Sequence, residues 1–108
     1  TFPILFSEEG IIELENSAPA LGWWEDVSFE NHVTEIRPNS SLICYSDAAI
    51  ELKNQNDQQL EREGFIELLK KNKINEYLDF QAVMHDLLDY SNSLTFNDDL
   101  TLVGIKRG

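Results

Sequence analysis

Basic residues are scarce: eight Lys and Arg stand against twenty Asp and Glu, a formal charge of −12 over 108 residues. Such a surface repels nucleic-acid phosphates and anionic lipid, because counterion release needs clustered Lys and Arg. Neither a nucleic acid nor a membrane surface is therefore expected as a partner; divalent cations and basic partners stay compatible. Cysteine is almost absent. Cys44 alone permits no intrachain disulfide and no cysteine-based zinc site, and its place in the run Leu42-Ile43-Cys44-Tyr45 reads as a small buried hydrophobe. No apolar run approaches the ~18 residues that span a bilayer, and no charged-then-apolar signal opens the chain, so a cytoplasmic location is the default expectation. There is no phosphate-binding Gly-rich loop, no His-x-x-x-His and no nucleophile elbow. His32 and His85 lack an evident ligand partner nearby in sequence and read as structural. Repeats, low-complexity tracts and linkers are also missing.

What is present suits one folded domain or a piece of one. Apolar residues make up 42% and charged residues 26%, too apolar for a disordered chain. Phe2–Phe6 reads as a strand, Ser7-Glu8-Glu9-Gly10 as a tight turn and Ile11–Leu14 as the returning strand of a hairpin. Asn16–Gly22 is a loop. Polar/apolar alternation from Val27 that resumes over Val33–Ile36 predicts a strand with one wet face, broken at Arg37-Pro38-Asn39-Ser40. Ser41–Tyr45 is a near-continuous apolar run of the kind found in the middle of a sheet.

The spacing then turns helical. Leu60, Gly64, Phe65, Leu68 and Leu69 share a face of a helix ending in Lys70 and Lys71, which suit the negative end of the helix dipole. Phe80, Val83, Met84, Leu87 and Leu88 form a second stripe, with Asn75 or Asp79 as N-cap. Leu100–Ile105 closes as a strand. Strands, two helices and a strand predict an α+β fold: an antiparallel sheet with helices on one face.

Chemistry could sit where acidic groups meet apolar strand ends. Asp47 follows the Ser41–Tyr45 run, and Asp98-Asp99 precedes the closing strand. If those strands are neighbours, Asp47 and Asp98 face each other across the sheet edge. Two carboxylates 4 Å apart repel by about 1 kcal/mol in water and about 4 kcal/mol at an effective dielectric of 20. A shared proton or a cation relieves this, and hard oxygen ligands favour Mg²⁺, Mn²⁺ or Ca²⁺. The alternative is that Asp47 caps a short helix and Asp98-Asp99 makes a polar turn. Spacing alone favours that second reading.

The stretch Leu42-Ile43-Cys44-Tyr45-Ser46-Asp47-Ala48-Ala49-Ile50-Glu51 resembles the "LLLYTDGVTE" signature of stage II sporulation protein E-like phosphatases, the bacterial branch of the metal-dependent (PPM-type) serine/threonine phosphatases. Other pieces follow in order. Pro3–Gly10 resembles the segment after the family's Gly-His-Pro-Pro element, and Ala18-Pro19-Ala20-Leu21-Gly22 its "G-x-P-L-G" loop. Ile36-Arg37-Pro38-Asn39-Ser40 resembles "L-x-P-G-D", Leu60–Leu69 "F-G-x-E-x-L", and Asp98-Asp99-Leu100-Thr101-Leu102-Val103 the closing "D-D-I-T-L-V".

The resemblance implies the C-terminal portion of a sandwich of antiparallel sheets flanked by helices, with residues 1–108 forming one part of a single phosphatase domain. It implies a pair of Mn²⁺ or Mg²⁺ ions that activate water for attack on phosphoserine or phosphothreonine, with Asp47 and Asp98 as metal ligands and Asp99 as a ligand or its support. Implied partners are a phosphoprotein substrate, such as an anti-sigma-antagonist-type protein of a bacterial signalling pathway, and the remaining part of the domain or a second copy. Trp23 and Trp24 could join such a contact.

Two departures qualify this. The family's Gly after the first Asp is Ala48 here, a costly change if the position requires positive φ. The upstream "G-D-x-x-G-H-G" element with its metal-bridging Asp has no counterpart, so the N-terminal half of the domain is expected upstream of Thr1, and this chain alone is expected to turn over little or nothing. A degenerate phosphatase-like domain, or an acidic α+β interaction module without catalysis, is the alternative.

Overall fold

The computed structural model describes residues 2–15, 22, 25, 26, 28, 29, 31–74, 77–94, 96 and 98–108. Two short strands, β1 (Ile4–Ser7) and β2 (Gly10–Glu13), form the expected hairpin. Gly10 makes the turn possible with φ +131, a conformation that L side chains avoid. The central strand β3 (Ser40–Tyr45) pairs antiparallel with β1 on one side and with the closing strand β6 (Leu102–Arg107) on the other. The four-stranded sheet thus runs β2-β1-β3-β6, wholly antiparallel. This is the α+β arrangement that the order of elements predicts.

Between β3 and β6 lie three helices and a small ribbon. Helix α1 (Asp47–Ile50) is a single turn directly after β3. Helix α2 (Glu61–Lys71) buries Phe65 and Leu69, one turn apart on one face. A ribbon of β4 (Lys73–Ile74) and β5 (Tyr77–Leu78) links it to α3 (Phe80–Ser91), which buries Val83 and Leu87 at the same spacing. Asp79 is the α3 N-cap, its carboxylate accepting from the Ala82 amide at 3.1 Å. Asn92 ends the helix in the left-handed conformation, where Asn is tolerated. Asn72 ties the two long helices together: its Nδ2 donates to the Leu68 carbonyl at 2.9 Å and to Asp86 Oδ2 at 2.8 Å. That bond, more than the nearby Lys71, holds the Asp86 carboxyl below its ordinary pKa.

Alternation along the strands sorts the sheet into two faces. Ile4, Phe6, Ile43 and Tyr45 point inward and meet Ala49, Phe65, Leu69, Val83 and Leu87 in one core. Gly104 on β6 admits the Phe80 ring, whose Cζ lies 2.4 Å from where a Cβ would stand. The opposite face carries the row Ile12-Leu5-Leu42-Ile105 and, beside it, Cys44 paired with Val103. Leu5 is buried there, but Ile12, Val103 and Ile105 are about half exposed.

One expected strand is not formed. Among the described residues, 31–37 contains no strand, and Val33 is 96% exposed. Alternation alone does not make a strand: it also needs a sheet edge that accepts its main-chain bonds. Here the segment is tethered by side chains instead, with Arg107 Nη1 donating to the Ile36 carbonyl at 2.7 Å and Arg37 near Glu9 at 3.7 Å. Asn39, which stands where the resembled turn has Gly, takes φ +62 and turns the chain into β3. Residues 16–21, Trp23, Trp24, Val27, Glu30 and the alternative cap Asn75 lie outside the described residues.

Candidate functional site

The apolar pattern of β3 ends at Tyr45, and the next residue begins the site. Ser46 is joined to the strand leading into β6 by three contacts. Its amide donates to the Thr101 carbonyl at 2.9 Å, and its hydroxyl accepts from the Thr101 amide at 2.9 Å. The same hydroxyl donates to the Asp99 carbonyl at 3.4 Å. Residues 53 and 55 positions apart in sequence are thereby held at one end of the sheet.

This junction places the acidic residues. Asp47 follows Ser46 as the first residue of α1, at the end of the helix that favours a carboxylate, and its side chain is exposed. Ser46 rather than Asp47 is the N-cap residue. Asp98 and Asp99 lie just before the Thr101 contact, both exposed. The Asp98 carboxylate accepts from the Asp99 amide at 2.8 Å, which fixes the local turn. Asp47, just after β3, and Asp98, in the segment that leads into β6, thus lie toward the same end of these two neighbouring strands. Among the described residues, no group of three or more metal-ligating side chains includes Asp47, Asp98 or Asp99.

Ala48 carries no backbone strain. It is the second residue of α1, buried, and not among the residues with positive φ. The position does not require glycine in this chain.

Sequence reasoning missed two features. Ser46 is one; its signal was only a hydroxyl residue directly before a strand-end Asp. The other is a cleft of about 230 Å³ with Ala48 and Asp98 in its wall. Its remaining wall comes from the segment after α1 and from the end of α3. His85 also differs from expectation, since it does have carboxylate neighbours. Its Nδ1 lies 3.4 Å from Asp89 Oδ2 and 3.9 Å from Asp86 Oδ1 on the exposed face of α3. That is a helix-surface ion-pair arrangement, away from the strand-end acids.

An oxygen donor set suits a hard divalent cation. Asp47 and Asp98 are both exposed, one on each of the two segments that the Ser46–Thr101 junction joins. No helix among the described residues is long and apolar enough to cross a membrane.

Comparison with known proteins bears on the family and the fold. The sequence profile of the stage II sporulation protein E (SpoIIE) family matches residues 1–108. No curated protein shows significant sequence similarity to the chain. Among solved structures, the PP2C domain of SiaA from Pseudomonas aeruginosa superposes with a TM-score of 0.77 at 14% identity, covering 99% of this chain and 43% of that one. The phosphatase domain of the cell-fate determinant SpoIIE from Bacillus subtilis, in a crystal form without domain swapping, gives 0.72 at 17% identity, covering 98% of this chain and 46% of that one. The chain therefore spans less than half the length of the phosphatase domains whose fold it shares. From a match along its whole length, the chain belongs to the stage II sporulation protein E family of phosphatases.

Proposed function

We propose that this chain is the C-terminal part of a divalent-metal-dependent phosphatase domain that removes phosphate from phosphoserine or phosphothreonine on a bacterial regulatory protein. The observation that carries the reading is the Ser46–Thr101 junction, which brings Asp47 and Asp98 to one sheet end in a chain of this family. Asp47 and Asp98 would hold Mn²⁺ or Mg²⁺, and Asp99 would support the turn that presents Asp98. When bound, such ions polarise phosphoryl oxygens and lower the pKa of water, so no protein nucleophile is needed.

The protein's own part is placement. Ser46 fixes the two acidic segments relative to each other, and the α1 N-terminus favours negative charge at Asp47. Remaining ligands would come from the part of the domain outside this chain, in keeping with its share of the related structures. The chain by itself is then expected to bind metal weakly and to turn over little. An anti-sigma-antagonist-type protein is the substrate that family resemblance suggests.

The non-catalytic alternative drew its weight from Ala48, and the helical conformation of that residue gives it no backbone argument. Assay of the natural full-length protein on a phosphoserine peptide, with Mn²⁺ and with chelator, tests the reading. Activity is expected with Mn²⁺ only and should fall at least a hundredfold in Asp47→Asn. Activity that persists in Asp47→Asn would remove Asp47 from the metal site, and an inactive Mn²⁺-loaded wild type would support the non-catalytic alternative.

A further inference from the structure

The cleft beside Asp98 has a lining that the metal chemistry does not use. Ala48 and Asp98 form the wall nearest the acidic sheet end. Leu52 and Phe96 are half-buried and supply apolar surface. Ser93, exposed just after α3, also lines it. Lys53 is the one basic lining residue among the described residues, and its ammonium is already paired with Asp57 at 3.2 Å. The volume of about 230 Å³ falls below the ~300–1,000 Å³ typical of small-molecule and cofactor sites. It is large enough for one amino-acid side chain.

We propose that this cleft receives an uncharged, apolar side chain close to the phosphorylated residue of the substrate and so selects the sequence that is dephosphorylated. The proposal rests on the phosphatase reading above. Its carrying observation is continuity: Asp98 belongs both to the candidate metal site and to the cleft wall, so a peptide with its phosphate at the carboxylates runs past the opening. Leu52 and Phe96 remove an aliphatic side chain from water. An acidic side chain would meet Glu51, which also lines the cleft, and is disfavoured there by like charge.

The test couples substrate to cleft. With the natural full-length protein and Mn²⁺, kcat/KM is measured on phosphoserine peptides carrying Gly or Leu at each of the positions flanking the phosphoserine. At one position Leu is expected to exceed Gly about tenfold, the scale on which a hydrophobic subsite discriminates. Ser93→Trp, which fills the cleft from its exposed rim, should abolish that preference, and Ser93→Thr should retain it. The Gly peptides report on the metal centre separately. If wild type shows no Leu preference at any position, or Ser93→Trp leaves the preference intact while turning over both peptides, the cleft is not a substrate subsite and the phosphatase reading stands. If neither peptide is turned over by the wild type, both fail.

Discussion

Tyr45 shows how one side chain can serve the core and oppose it. Its ring is buried against Phe65, with centroids 4.8 Å apart, yet its hydroxyl, beside the Phe2 backbone and the Arg62 side chain, makes no hydrogen bond of good geometry to either. Arg62 is close by but is turned to Glu13 Oε2 at 3.0 Å. Burial pushes the phenol above its ordinary pKa, with the Arg62 charge offsetting part of the effect. An unpaired buried hydroxyl costs about 1–3 kcal/mol. Tyr45→Phe is therefore expected to raise the unfolding free energy by about 1 kcal/mol in urea titration; a loss of similar size would show that the hydroxyl is satisfied in solution. The identity of Tyr45 as an inward residue was legible from its place in an apolar run. Its unsatisfied oxygen was not, because that depends on where Arg62, 17 positions later, directs its guanidinium. The place of Asp47 just past β3 was legible because the apolar run marks where that strand stops, whereas β6 begins later than the apolar run after Asp98 suggests.

At the scale of elements, the hairpin, the central strand and both long helices follow from period and punctuation. Gly10 and Asp79 do the work expected of a turn glycine and an N-cap. The segment 31–37 misled because alternation records which residues could face water, and not whether the main chain pairs with a sheet edge. The β4–β5 ribbon was not seen, since two-residue strands leave no periodic trace. The joint between β3 and β6 was also hidden, as its bonds link residues 53 to 55 positions apart. That joint makes a firm prediction. Ser46→Ala removes the acceptor of the exposed Thr101 amide, at a cost of about 0.5–1 kcal/mol, and should weaken Mn²⁺ binding by the full-length protein. Ser46→Thr should restore both. A Ser46→Ala variant with unchanged stability and Mn²⁺ affinity would show that the hydroxyl does not set the spacing of the acidic segments.

Seen whole, the molecule is a slab with extents of 44 × 36 × 18 Å and a radius of gyration of 15.4 Å, against about 13 Å for a compact domain of this length. One sheet and one helical layer account for that shape. The helices cover the inner face, while Ile12, Val103 and Ile105 leave apolar area on the outer face and β6 presents an open edge. Open edges and apolar faces favour association. Residues 1–108 alone are expected to self-associate, as measured by sedimentation, and Val103→Lys with Ile105→Lys should reduce that association. A monomer at all concentrations would show that the outer face needs no cover. In the full-length protein the same face is proposed to meet the rest of the phosphatase domain.

The proposed chemistry rests on the acidic sheet end, and direct metal binding tests it most plainly. Titration of the natural full-length protein with Mn²⁺, followed by the loss of the free-ion electron paramagnetic resonance signal, should show binding that Asp47→Asn and Asp98→Asn each weaken at least tenfold. His85→Ala, on the exposed surface of α3, should leave it unchanged. Equal Mn²⁺ affinity in wild type, Asp47→Asn and Asp98→Asn would contradict the account, and would return both carboxylates to the capping and turn roles that their spacing alone allows.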